Sequence, residues 1–239
     1  MTALRRSEKP ERMDGPGCGP EEIEAALRDI ALVNRRLGGA RTLLRALDPY
    51  VHAVPPGGVL DVLDVGTGGA DLAVAMESRG LSRGRTVRVT AVDRDPAAAR
   101  VAARTAAAAR HVLVVLADAR ALPFADRSFD VVTASMFLHH FAEAEAAALL
   151  ASFAKVARRA VIVNDLERGA LPWAFIAVAA RLARRSALFV HDAPLSVRRG
   201  FTVSELRALA RRAGSDRARV TRRWPFRLAL TLPAGGSRP

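Results

Sequence analysis

The feature that most constrains this chain is a regular alternation of two rhythms between residues 59 and 165. VLDVLDV (59–65), TVRVTAVD (86–93), HVLVVLA (111–117), FDVVTAS (129–135) and RAVIVND (159–165) are short runs rich in β-branched residues. Helical patterns fill 70–79, the alanine-rich 96–110 and 143–157 between them. Strands alternating with helices in this way predict a parallel sheet joined by right-handed crossovers. Pro96 suits the first turn of its helix, where the missing N–H costs nothing.

The flanks follow a different pattern. From Glu21 to Leu47 the apolar positions recur mostly every three and four residues, and Gly38-Gly39 split the stretch into two helices. After the fifth strand the alternation stops. Residues 168–200 read as an insert: an apolar-basic helix through about Leu188, then a loop over HDAPLSVRRG. Helix 202–214 opens with Thr202 and Glu205, the spacing of a capping box, and closes at Gly214. Two last strand-like runs, RARVTRRW (217–224) and FRLALTL (226–232), meet across Trp224-Pro225 and suit an antiparallel pair. The insert would then fold over the carboxyl edge of the sheet, where open α/β sheets bind ligands.

Composition narrows the class. Half of the 239 residues are hydrophobic, too many for a disordered chain and enough for a real core. A lone cysteine, Cys18, argues against a disulfide framework or a zinc site of paired cysteines, and it fits a reducing, cytoplasmic setting. The first 20 residues are polar, with Gly and Pro and no apolar stretch; they read as a loose tail, neither signal peptide nor anchor. Leu171–Ala180, the longest apolar run of the C-terminal part, is about half the ~20 residues a spanning helix needs. The formal charge of +13 invites a nucleic-acid reading, but its distribution weakens it. Residues 1–154 hold 19 basic and 19 acidic side chains, leaving 18 of the 37 basic and 5 of the 24 acidic ones to residues 155–239. Lysine occurs only at Lys9 and Lys155, so the excess is arginine in an alanine-rich chain, as much compositional bias as charge selected for a partner.

Chemistry concentrates where strands end. In LDVGTGGADLA (63–73) the first strand runs into Gly66, Gly68 and Gly69, and a helix begins near Ala70. Such a turn brings backbone close to a ligand and leaves helix N–H groups free. Asp71 stands at the third glycine position of a dinucleotide fingerprint, and Asp64 with Asp71 would repel a pyrophosphate while suiting a cation. Asp93, followed by Arg94, ends the second strand, where a carboxylate takes ribose hydroxyls. Asp118 ends the third, able to accept from an adenine amino group. Each of these is by itself an ordinary cap or turn residue; three on one sheet edge make a site.

These residues resemble the class I S-adenosylmethionine (SAM) dependent methyltransferases. LDVGTGGADLA is similar to their first motif, AVDRDP to the acidic second, and LADARALPFADRSFDVV followed by LHHF to the branch holding ubiquinone/menaquinone and small-molecule O- and C-methyltransferases. The stretches 33–47 and 164–201 resemble a bacterial subgroup near secondary, natural-product metabolism. Thr67 and Ala70 depart mildly from the family's glycine turn. The resemblance implies a Rossmann-like α/β fold with a seven-stranded sheet, mostly parallel with the last strand antiparallel, and helices on both faces. It implies one methyltransferase domain over 21–239, after the tail 1–20: N-terminal helices (21–50), a SAM-binding core (59–165), a substrate lid (168–200), and a C-terminal helix and strand pair (201–239). It implies SAM contacts from Asp64, Gly66, Thr67, Gly68, Gly69, Asp93, Arg94, Asp118, Ala119 and Ser135, with no metal, and S-adenosylhomocysteine as product.

The acceptor is expected to be small, aromatic, polyketide or quinone-like, methylated at oxygen, with carbon methylation the close alternative. A hydroxyl acceptor needs its proton removed. The candidates are His140, His191, His139 and Asp192, each also readable as a lining residue. Trp173, Phe175, Ile176, Leu182 and Phe189 would give the insert apolar walls. Arg35, Arg36 and Arg41, read first as a solvated helix face, could meet an anion. Arg181, Arg184, Arg185, Arg198 and Arg199 could meet an anionic substrate, a carrier domain or, weakly, a membrane surface. A basic RNA-directed methyltransferase is the less favoured rival: aromatics for stacking are few, and a base-methylating Asn/Asp-Pro-Pro motif is absent. A nucleotide-binding module without catalysis is the other. The chain is expected to act as a monomer or homodimer.

Overall fold

The computed structural model describes residues 4–15, 17–182 and 185–234. Seven strands form one sheet: β1 (Val59–Val65), β2 (Thr86–Asp93), β3 (Val112–Leu116), β4 (Phe129–Ser135), β5 (Ala157–Leu166), β6 (Arg219–Arg223) and β7 (Arg227–Pro233). Their order is β3-β2-β1-β4-β5-β7-β6. β1 to β5 pair in parallel, and β7 runs antiparallel to both neighbours. The helices are α1 (Pro20–Arg36), α2 (Gly39–His52), α3 (Asp71–Leu81), α4 (Pro96–Ala106), α5 (Glu143–Val156), α6 (Ala170–Leu182), α7 (Ala187–Arg199) and α8 (Val203–Arg212). This is the Rossmann-like, mostly parallel sheet that the motifs imply.

Each strand alternates its side chains between two cores. Leu60 and Val62 of β1 pack with Leu43 and Leu47 of α2 and Met76 of α3. Leu63 and Val65 join Phe153 of α5 and Leu206 of α8 on the other face. Burying each such Leu or Phe contributes roughly 1.5–3 kcal/mol, which is what holds the helices to the sheet. Local signals agree: Asp95 caps α4 through Ala97 N and Ala98 N, and Thr202 with Glu205 forms the capping box of α8. Gly38 breaks α1 from α2 at φ +76°, and a Cβ there would stand 2.7 Å from the Trp224 carbonyl oxygen. Only glycine meets both demands.

Two sequence expectations need correction. Residues 191–200 are not a loop; all but Gly200 lie in α7, despite Pro194 inside it. The Ser186 hydroxyl accepts from Phe189 N at the helix start, and burial of Leu188, Phe189 and Val197 holds the helix against the missing proline N–H. The insert is therefore two helices, α6 and α7, and Arg184 lies outside the described residues. Nor are the described residues of 4–15 loose. They form a strap: Ser7 N donates to Arg198 O, Arg6 Nη2 to Phe141 O, and Glu11 is buried.

Candidate functional site

The crossovers from β1 run toward β2 and those from β4 toward β5, so the sheet has its switch point between β1 and β4, where ligands of open α/β sheets sit. The glycine turn stands there. Gly66, Gly68 and Ala70 all have positive φ, and a Cβ on Gly66 would meet the Phe137 ring at 2.2 Å. Asp93 secures the turn from β2: its carboxylate accepts from Gly68 N (2.8 Å) and Asp95 N (3.0 Å). Asp64 lies beneath, accepting from the hydroxyls of Thr67 (2.8 Å) and Thr133 (2.7 Å). Asp118 caps the short turn Ala119–Ala121 through Arg120 N. Ser135 closes β4, with Asn164 Nδ2 3.5 Å from its hydroxyl.

Burial pushes Asp64 up to about 6 and raises Asp71 and Asp93 above the usual carboxylate range. None of the three forms an ion pair among the described residues. Asn34 of α1 donates to Asp71 Oδ2 (3.3 Å), while its own Oδ1 is buried without a partner. The edge is thus a cluster of acceptors short of a cation or donor.

A cavity of about 290 Å³ runs along this edge and is lined by all ten residues assigned to SAM. Its far side is apolar: Leu166, Pro172, Phe175, Ile176, Leu188, Phe189 and Phe226. Phe175, Ile176 and Phe189 thus act as walls, as the sequence suggests. Trp173 and Leu182 point to solvent and do not line it. The strap supplies Glu11, Met13 and Asp14 to its rim.

The four candidate bases separate. His139 is 1 % exposed; its Nδ1 meets Asp165 Oδ1 at 2.7 Å and its Nε2 faces Glu11 at 3.4 Å. Burial disfavours its charge, yet the two carboxylates outweigh that and raise it to about 10. It is a held imidazolium. His140 also lines the cavity, and its Nδ1 meets the Asp14 carboxylate at 2.7 Å. Burial would raise the Asp14 pKa, but the hydrogen bond and charge of His140 bring it below the ordinary value. His191 is 41 % exposed on α7 and does not line the cavity. Asp192 reaches the cavity but accepts from Arg12 N and Met13 N, so it anchors the strap. Glu11, His139 and His140 offer ligand atoms within 4.8 Å of one another. The two rings, however, lie tilted by 32° with centroids 4.3 Å apart, and a protonated His139 offers no lone pair.

None of the arginines singled out in the sequence, Arg35, Arg36, Arg41, Arg181, Arg185, Arg198 or Arg199, lines the cavity. Arg185 pairs with Asp29, and Arg199 bonds the carbonyls of His139, His140 and Lys9. The residues that sequence reasoning missed are Asn34, Glu11, Asp14, Asp165 and Arg227. Arg227 had one available signal: an antiparallel last strand begins where parallel strands end, so its first residue falls on the ligand edge.

Residues 62–160 match the family model described as a methyltransferase domain. Among solved structures, human N-acetylserotonin methyltransferase in complex with SAM superposes with a TM-score of 0.65 at 16% identity, over 91% of this chain and 57% of that one. A SAM-dependent methyltransferase from Aquifex aeolicus gives 0.61 at 15% identity, over 91% and 99%. An O-methyltransferase, so described tentatively, from Nostoc punctiforme gives 0.64 at 16% identity, over 96% and 64%. The chain therefore spans less than two thirds of the first and third of these proteins. No curated protein matches the sequence significantly. The family match is confined to residues 62–160, and the fold of the whole chain is the one that these SAM-dependent enzymes share.

Proposed function

We propose that the protein transfers a methyl group from SAM to a small aromatic, polyketide or quinone-like acceptor, at oxygen. The observation that carries this is the acceptor-rich edge: buried Asp64 and half-buried Asp71 and Asp93, none of them in an ion pair among the described residues, and a buried Asn34 Oδ1 without a donor, all lining one cavity. A sulfonium nucleoside with an ammonium group meets each of those needs. Asn34 and Asp71 would accept from the ammonium, Asp93 from ribose hydroxyls, and Asp118 with Ala119 would hold the adenine; Gly66, Gly68 and Gly69 let the backbone approach. Arg94 and Thr67 would complete the lining, and Ser135 would stand at the methyl-bearing end. SAM supplies an activated methyl group and its own leaving group, so the protein chiefly aligns the nucleophile.

Oxygen is favoured because the site holds a base in orienting company. The Asp14 carboxylate holds His140 Nδ1, which would leave Nε2 free to take a hydroxyl proton. The aromatic walls suit a flat apolar acceptor, and the Nostoc structure's description as an O-methyltransferase agrees. No described helix is long and apolar enough to cross a membrane, and a single free thiol suits the cytoplasm. Calorimetry with SAM tests the reading, with Asp93→Ala expected to weaken binding at least tenfold. A labelled-methyl screen of phenolic and enolic acceptors then tests transfer. Absence of SAM binding by the wild type would overturn the assignment.

A further inference from the structure

Arg227 is the buried arginine of this cavity, only 2 % exposed, and unlike the buried imidazolium of His139 it has no carboxylate against it among the described residues. Its one hydrogen-bond contact is a poor one: Nη1 lies against the thioether sulfur of Met136. Two other buried arginines show what structural guanidiniums do in this protein. Arg168 donates to Leu4 O and Gly200 O and pairs with Glu205, and Arg199 donates to three carbonyls. Among the described residues Arg227 has neither a carbonyl nor a carboxylate partner. Asp165 and Asp71 act on it only through space, and burial lowers its pKa to about 10. A buried charge left in that state is costly unless a ligand completes it.

Its position says which ligand. Alternation along β7 sends Leu228 and Leu230 to the α5–α8 core, so Arg227 faces the side of Ser135 and Asp64. In register it stands beside Leu166, at the carboxyl end of β5. The residues proposed for the nucleoside, Asp93 at the end of β2 and Asp118 just past β3, lie on the opposite side of the glycine turn. From β1 to β7 is three strand spacings, roughly 14 Å, the side on which Phe175, Phe226 and Phe189 form the apolar walls.

We propose that Arg227 binds an anionic oxygen group, a carboxylate, on the methyl acceptor, so that the substrate is an aromatic or polyketide acid rather than a neutral phenol. This rests on the methyl-transfer reading for the word acceptor, but the anion site can be read without it. The guanidinium would clamp the carboxylate with two parallel hydrogen bonds. The apolar walls would take the ring and present its hydroxyl toward His140.

The test uses 1-hydroxy-2-naphthoate and its uncharged amide, titrated by fluorescence into the full chain with and without S-adenosylhomocysteine. The wild type should bind the acid at least tenfold more tightly than the amide. Arg227→Met, which removes the charge while keeping apolar bulk, should lose that preference and keep its affinity for S-adenosylhomocysteine within twofold. Arg227→Lys should keep part of the preference, and it carries the test if the methionine variant does not fold. Equal binding of acid and amide by the wild type, or no binding of either, overturns the proposal. A loss of S-adenosylhomocysteine affinity in Arg227→Met, with the acid preference intact, also overturns it and gives Arg227 to the donor's own carboxylate. If the wild type prefers the acid but never binds S-adenosylhomocysteine, the anion site stands and the methyl-transfer reading falls.

Discussion

Raising the pH should unlock the histidine that joins the strap to the sheet. His139 sits between Asp165 and Glu11, and the folded protein raises its pKa from the ordinary 6.5 to about 10. A group whose folded pKa is raised stabilises the fold fully below its unfolded value, and that contribution is lost as pH climbs toward the folded one. The window is therefore pH 6.5 to 10. At about 1.36 kcal/mol per unit, the loss approaches roughly 5 kcal/mol across the window and about 4 kcal/mol by pH 9.5. That is a large part of the ~5–15 kcal/mol that holds a domain. Urea unfolding at pH 6.5 and 9.5 should show the midpoint falling by roughly 1 M or more, given slopes of about 1–3 kcal/mol per M. His139→Gln should lower the midpoint at pH 6.5 by an equivalent of about 3–5 kcal/mol, because it strands two buried carboxylates, and should flatten the pH dependence. A wild-type midpoint that is level from pH 6.5 to 9.5, or that rises, would refute the latch.

Two further outcomes follow from the site. Asp14→Asn removes the carboxylate that orients His140, so turnover on a hydroxyl acceptor should drop at least tenfold while SAM affinity, measured by calorimetry, stays within twofold. Asp64, raised to about 6 by burial, should make SAM affinity fall as pH drops below 6; the unliganded fold should instead gain stability from pH 6 toward 4, since protonation relieves a buried charge.

Most of the glycine-turn edge of the cavity was legible because its residues sit in short, local patterns. A β-branched run ending in Asp93 or Asp118, or a glycine turn after Asp64, announces both element and edge together. The capping pair Thr202–Glu205 was readable for the same reason. The opposite rim was not, since its groups gain meaning from partners far along the chain. Glu11 and Asp14 look like solvated charges in a polar, glycine-rich tail until His139 and His140 meet them. Pro194 and the polar HDAPLS read as a break, yet buried apolar residues on either side carry the helix through. Arg227 is one more arginine in a chain with 35 of them, and only the antiparallel pairing of β7 turns it into the cavity.

The strap also sets an order of events during synthesis. Arg6 meets Arg199 across 193 residues, Arg12 meets Asp192 across 180, and Asp14 meets His140 across 126. At about 5–20 residues per second, residues 6–14 leave the ribosome some 10–40 s ahead of their last partners. During that interval the sheet from β1 to β5 can assemble while its rim stays open. The strap is therefore pinned at the rim only once α7 is complete. A ribosome-bound or truncated chain that ends before residue 190 would carry the glycine-turn edge with the rim of its cavity still open.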